Sequence, residues 1–255
     1  MKLKNMTAVV TGGASGLGEA AARRLIMAGM NVGIFDLNET SGLALASELG
    51  DKALFCITDV ADENSVKESI AMTTAAFGSV HIAVNCAGIA TPAKIIGKNG
   101  LFPISIFNRV VAVNLIGSFN VLRFSAEQMA KNDPNEDGER GVIINTASIA
   151  AFDGQIGQAA YSASKAGLVG LTLPAARELA DYGIRVATIA PGLFYTPLMD
   201  GLPEKAKAAL EKMPPFPKRL GKPSEFAELV HHIAVNAMIN GDVIRLDAAL
   251  RMPAR

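Results

Sequence analysis

Tyr161 and Lys165 stand four residues apart in Tyr161-Ser162-Ala163-Ser164-Lys165, and Ser148 closes the apolar run that begins at Gly141. On a helix, positions i and i+4 lie one above the other, so the phenol and the ammonium address one small volume. A free tyrosine titrates near ~10 and is a weak base at neutral pH; a fixed cation beside it favours the phenolate and draws it toward the working range. A serine hydroxyl brought to the same place can hold the reacting oxygen. The chemistry on offer is proton transfer at an alcohol or carbonyl oxygen. The spacing alone proves little, because most such pairs are one packed ring and one solvated ammonium.

A second, independent signature lies at the other end of the chain. Met6 to Thr11 reads as a short buried strand that runs into Gly12-Gly13-Ala14-Ser15-Gly16-Leu17-Gly18 and then a helical pattern from Glu19 to Ala28. Glycines at 12, 16 and 18 permit a tight turn and close approach of backbone to a pyrophosphate, which rests on the N–H groups and positive dipole end of the new helix. The next apolar run, Asn31 to Phe35, ends in Asp36. A carboxylate there can accept both hydroxyls of an adenosine ribose and would repel a 2′-phosphate, so the reading is NAD over NADP. No Arg or Lys lies in the glycine loop or directly after Asp36 to favour that phosphate. The competing reading makes Asp36 a helix N-terminal acid ahead of Asn38 to Leu49.

These motifs need a scaffold. At 255 residues and 50% hydrophobic, the chain can build one sizeable core within a single α/β domain spanning 1–255. Apolar strand-like runs recur at about 6–11, 31–36, 52–57, 80–86, 141–147, 184–190 and 242–247, with helical patterns between them. That alternation predicts a Rossmann-like, doubly wound parallel sheet of about seven strands with helices on both faces and ligands beyond the carboxyl ends of the strands. Three segments break the pattern. Ala90 to Pro103 carries Gly and Pro, Lys131 to Arg140 reads as a solvated surface loop, and the proline-rich Thr196 to Pro223 carries the apolar side chains a mobile substrate lid at about 196–223 needs.

Charge balances at 24 against 24 without a basic block, so neither nucleic acid nor an anionic membrane is an expected partner. Met1 to Asn5 is too short and polar for a signal peptide, and no stretch reaches about eighteen consecutive apolar residues. Cys56 and Cys86 read as small buried residues in a reducing compartment, and the expectation is a cytoplasmic protein. His81, His231 and His232 lack metal-ligand spacing, and no metal is expected.

With the glycine loop, Asp36, Asn85-Cys86-Ala87-Gly88, Asn114, Ser148, Tyr161, Lys165 and Pro191-Gly192 in order, the chain resembles the short-chain dehydrogenase/reductase family over its whole length. The resemblance implies Tyr161 as acid/base, Lys165 on the nicotinamide ribose, Ser148 on the substrate oxygen and Asn114 positioning a water on the proton path. It also implies a cofactor site of Gly12, Ser15, Gly16, Leu17, Gly18, Asp36, Asp59, Val60, Cys86, Ala87, Gly88, Tyr161, Lys165, Pro191, Gly192, Phe194 and Thr196, with substrate at Ser148, Gln155, Tyr161 and Leu193. Cys86 replaces the family's second Asn, which puts that side chain's bond to the neighbouring strand in doubt. Longer runs, among them Gly157 to Lys165, Ile189 to Phe194 and Val243 to Asp247, resemble the branch that uses NAD to oxidise short 3-hydroxyacyl-CoA thioesters as homotetramers. The alternatives are a 3-oxoacyl carrier-protein reductase, a steroid or sugar-alcohol dehydrogenase, or an NAD-sensing module without catalysis. Phe152, Ile156, Leu198 and Met199 join Gln155, Leu193 and Phe194 as candidates for an apolar pocket, or as ordinary core and surface. Lys205, Lys207, Lys212, Lys218 and Arg219 are either contacts for CoA phosphates or a solvated face.

Overall fold

A computed structural model describes residues 1–98, 100–196 and 204–254. The chain alternates β1 (Thr7–Thr11), α1 (Gly16–Met27), β2 (Asn31–Asp36), α2 (Glu39–Leu49), β3 (Ala53–Ile57), α3 (Glu63–Phe77) and β4 (Ile82–Asn85). After two short strands, β5 (Ile96–Gly97) and β6 (Gly100–Leu101), come α4 (Ile104–Val111), a π-helical turn Ala112–Gly117 and α5 (Ser118–Met129). Then follow β7 (Gly141–Thr146), α6 (Ala159–Leu179), β8 (Ile184–Pro191), α7 (Glu204–Glu211), α8 (Pro223–Val235) and β9 (Val243–Leu246).

Seven of these strands form one sheet in the order β3-β2-β1-β4-β7-β8-β9, every neighbouring pair parallel. Strands β1, β4, β7 and β8 are buried along their whole length, as a parallel sheet covered on both faces requires. Successive side chains alternate between the two faces. Val10, Ile34 and Ile144 pack with Leu25 of α1 and Phe226, Val230 and Ile233 of α8. Their neighbours Val9, Phe35 and Ile143 pack with Val66 and Ile70 of α3 and Val121 and Met129 of α5. Strand order reverses between β1 and β4, so their following loops part and leave a crevice at the carboxyl edge.

All seven sheet strands fall within two residues of the apolar runs read from sequence. One expectation changes and two segments gain detail. Within Lys131 to Arg140, Glu139 is buried and accepts from Arg185 Nε at 2.8 Å, with Nη2 of the same guanidinium at 2.7 Å, so this residue is a core ion pair inside an otherwise polar loop. The segment Ala90 to Pro103 contains the small antiparallel β5–β6 hairpin, whose two-residue strands are too short to leave a periodic signal. Of the expected lid, 204–211 form α7, and residues 197–203 lie outside the described residues.

By length and composition alone, the helical run Ile104–Met129 could cross a bilayer. In the fold, its Val110, Val121, Leu122, Ala126 and Met129 are buried, and α5 packs on α3, β4 and β7. Part of its apolarity serves the core, while Ile104, Ile116 and Phe119 stay exposed.

Candidate functional site

At the crevice, backbone contacts around Gly12 and Gly18 leave no space for a side chain at those two positions. Gly12 and Gly16 adopt φ of 59° and 55°, in the left-handed region that favours glycine. A Cβ on Gly12 would lie 2.9 Å from Ala87 N, and one on Gly18 would lie 2.1 Å from Gly12 O. Thr11 Oγ1 accepts from both Cys86 N and Ala87 N at 3.1 Å, locking the loops after β1 and β4 together. Ser15 precedes α1 with no side-chain cap bond among the described residues, so the first N–H groups and the positive dipole end of α1 stay open.

Asp36 ends β2 at the lip of a cavity of about 600 Å³. Its Oδ2 accepts from Ala14 N and its Oδ1 from Asn38 N, each at 3.0 Å, and each oxygen keeps a further lone pair for a hydroxyl. The cap of α2 is Asn38, whose Oδ1 accepts from Ser41 N at 3.1 Å, so Asp36 stands just ahead of the cap with its Oδ1 on the Asn38 N–H. Gly12, Ser15, Gly16, Leu17, Gly18, Asp36, Asp59, Val60, Cys86, Ala87, Gly88 and Thr196 all line this cavity, as the sequence predicts. An open helix N-terminus, a cradle that any Cβ would fill and a carboxylate at the far lip are what an adenine dinucleotide needs.

A second cavity of about 350 Å³ is lined by Ser148, Gln155, Tyr161, Lys165, Pro191, Gly192, Leu193 and Phe194. Leu17, Cys86, Gly88, Ile89 and Thr196 line both cavities, which makes them one continuous cleft. Ser148 starts a short 3₁₀ turn, Ile149–Ala151, by accepting from Ala150 N at 3.1 Å, and its hydroxyl shares the cavity wall with the Tyr161 phenol. Lys165 is buried, and its Nζ donates to Thr146 O at 2.6 Å while standing 5.8 Å from the centre of the Tyr161 ring.

The electrostatics differ from the expectation that Lys165 lowers the phenol. Burial pushes Tyr161 above its ordinary value, and the nearby Ser148 hydroxyl, not the ammonium, opposes the rise. Lys165 itself is pushed down to about 8 by burial. The reason is placement: the lysine lies along the ring and addresses the end of β7. Cys86, also in the cleft, is raised to about 11 by burial, which keeps its thiol protonated at neutral pH.

Asn114 sits in the π-helical turn, fully buried and outside both cavities. Its Nδ2 donates to Ile89 O at 2.9 Å and Ser164 Oγ at 3.0 Å, and its Oδ1 accepts from Ile89 N at 2.8 Å. Both amide hydrogens are thereby taken, so the side chain acts as a strut between the loop after β4 and the helix that carries Tyr161 and Lys165. The doubt raised by Cys86 also resolves. The tie to the neighbouring strand is made by Asn85 Nδ2 to Asn145 Oδ1 at 2.9 Å, and Cys86 Sγ adds a longer hydrogen bond of 3.5 Å to Thr146 Oγ1 on the same strand.

Phe152 and Ile156 do not line the cleft; both are exposed, and the Phe152 ring lies under the Arg245 guanidinium at 5.0 Å. Arg219 is engaged by Glu225 at 2.7 and 2.8 Å, which removes it as a free cation for phosphate. Leu198, Met199 and the Lys205 side chain lie outside the described residues. Sequence reading missed Leu37, Arg109 and Val113 at one end of the cleft, and Leu210 and Met252 at the other. Leu37 and Val113 were within reach, as neighbours of Asp36 and Asn114. Nothing in the local sequence marks Met252.

A model of the family described as short chain dehydrogenase matches residues 6–207. The chain is 54% identical over 252 residues to the 3-hydroxyacyl-CoA dehydrogenase type-2 of Drosophila melanogaster, covering 98% of this chain and 99% of that protein. Identity to the Homo sapiens protein of the same name is 53% over 252 residues, covering 98% and 97%. The crystal structure of 3-hydroxyacyl-CoA dehydrogenase type-2 from Mycobacterium avium superposes with a TM-score of 0.95 at 44% identity, covering 98% of each chain.

The buried ammonium yields a prediction for the cofactor-free protein. Lys165 is held near 8 in the fold against an ordinary 10.5, so between those values the unfolded chain binds more protons and stability rises with pH. The destabilisation is complete below about pH 8 and gone above about 10.5. Lys165→Met removes that cost together with the bond to Thr146 O, so the difference in thermal midpoint, variant minus parent, should be most positive at pH 7 and shrink from pH 8 to 10. Scanning fluorimetry across this range checks it; a difference level with pH contradicts the assignment.

Proposed function

We propose, from the premise that the chain belongs to the short-chain dehydrogenase family, that it interconverts the hydroxyl and ketone of short 3-hydroxyacyl-CoA thioesters with NAD as cofactor. The relatives at 53–54% identity over nearly their whole length carry that substrate in their names. The observation on which the reading rests is the meeting of Ser148, Tyr161 and Lys165 on the wall of a cleft that continues to the glycine loop. Apolar Ile149, Leu193, Leu210 and Met252 beside them suit a short acyl chain.

Bound NAD supplies the hydride acceptor. Gly12, Gly16 and Gly18 would hold its pyrophosphate against α1, Asp36 its adenosine ribose and Lys165 its second ribose. Tyr161 takes the hydroxyl proton in oxidation and returns it in reduction, while the Ser148 hydroxyl holds the reacting oxygen. Because burial keeps the phenol protonated at neutral pH, Tyr161 is poised to donate to a ketone and needs a higher pH or a nearby positive charge to act as base. Preference for NAD is supported by the Asp36 carboxylate at the ribose end of the cleft, where a 2′-phosphate would meet like charge. A homotetramer is supported by Ile104, Ile116 and Phe119, large apolar side chains left exposed on the α4–α5 run.

Tyr161→Phe should bind NADH with the parent's affinity and lose at least about 10²-fold in kcat, the lower range for general acid–base groups. Fluorescence titration beside steady-state assays tests this, and parental turnover would remove Tyr161 from the acid/base role. Asp36→Ala should narrow the ratio of kcat/KM for NAD over NADP; identical ratios in parent and variant would refute the ribose assignment. Sedimentation velocity should give a single species near four times the 26.6 kDa chain mass, and a monomer at micromolar concentration would contradict the assembly.

A further inference from the structure

Beyond β9 the chain turns back over the candidate site. Ala248 and Ala249 adopt φ of 52° and 62°, a left-handed pair that non-glycine residues hold only where the surroundings impose it. What imposes it is a cluster around Arg245. Its Nε donates to Asp247 Oδ2 at 2.7 Å, and its Nη2 donates to Asp153 Oδ2 at 2.6 Å and to Leu250 O at 3.1 Å. Two further ties reach the loop that precedes α6: Gln155 Nε2 donates to Pro253 O at 3.2 Å, and Ile156 N donates to Ala254 O at 3.1 Å. The anchor of the segment is Leu250, 3% exposed. Met252, two residues on, is half-buried and lines the same cavity as Ser148, Tyr161 and Leu210.

We propose that Asp247–Ala254 forms a wall of the substrate cavity, in which Met252 sets the length of acyl chain accepted and Arg245 is the positioning residue that holds the wall down. This rests on the acyl-CoA reading above. Met252 is an unbranched, adaptable side chain that lines a cavity of about 350 Å³ together with Leu193 and Leu210, so its volume bears on how much chain fits there. Arg245 lines neither cavity of the cleft. Its planar fork joins Asp153, on the loop before Tyr161, to Asp247, at the root of the wall, and a lysine cannot reproduce that two-sided grip.

The test measures kcat/KM for 3-hydroxyacyl-CoA thioesters of four, eight and twelve carbons with NAD, alongside 2-alkanols over the same span. Met252→Ala should raise the ratio of eight- to four-carbon substrate by about tenfold, the scale of one or two methylenes in an apolar pocket, and Met252→Trp should lower it. Ratios within twofold of the parent in both variants overturn the wall. Arg245→Lys should shift the ratio in the same direction as Met252→Ala with NADH affinity unchanged; a uniform loss across chain lengths makes Arg245 merely structural and overturns its positioning role. Should Arg245→Lys not fold, Asp153→Asn, which removes one of the two carboxylates, is read in the same way. If the parent turns over 2-alkanols but no thioester, the acyl-CoA reading fails and the wall is judged on the alkanol ratios. Turnover of neither series overturns both.

Discussion

The bond from Lys165 Nζ to Thr146 O, 2.6 Å long and removed from water, is the interaction around which the candidate site is assembled. An ammonium that deep is costly to desolvate and stays only where polar groups meet it. The carbonyl that meets it lies at the end of β7, two residues before Ser148, while the lysine lies one helical turn after Tyr161. One hydrogen bond thereby ties helix α6 to the strand end and fixes the phenol relative to the serine. Burial draws the ammonium down to about 8, the cost that the Thr146 carbonyl only partly offsets. Such a compromise is expected where a charge is kept for chemistry.

Around that tie the architecture divides the labour. Parting of the loops after β1 and β4 opens the crevice, and Thr11 keeps the two loops at fixed distance through its paired acceptor role. Asn114 does the equivalent work between the loop after β4 and helix α6. Neither residue reaches the volume where a substrate oxygen would sit, yet both determine its shape. The wall held by Arg245 extends the same logic to the outer end of the cleft, where hydrogen bonds from Gln155 and Ile156 fasten it to the loop leading into Tyr161.

The strands were legible because a parallel sheet buried on both faces demands unbroken apolar runs, and such runs stand out between helical patterns. The glycine loop was legible for a similar reason: at Gly12 and Gly18 a Cβ would collide with backbone, so only one residue type fits. Elements governed by distant partners were not. Glu139 sits in a polar decapeptide and looks solvated until Arg185, on β8, arrives beside it. The β5–β6 hairpin carries too few residues for any periodicity, and Phe152 looked like pocket lining until Arg245 covered its ring.

Sequence by itself determined which groups were available and their local order: a phenol and an ammonium four apart, a carboxylate ending the second strand, glycines where backbone must come close. These follow from short-range geometry, since helix and strand periods set which neighbours share a face. Only the tertiary structure decided what those groups face. That Lys165 turns its ammonium to the Thr146 carbonyl, that Asn114 braces two elements with its own amide, and that Met252 lines the cleft from far along the chain all depend on contacts between residues remote in sequence. Burial and hydrogen-bond partners are properties of the assembled fold, and they set pKa and pocket shape.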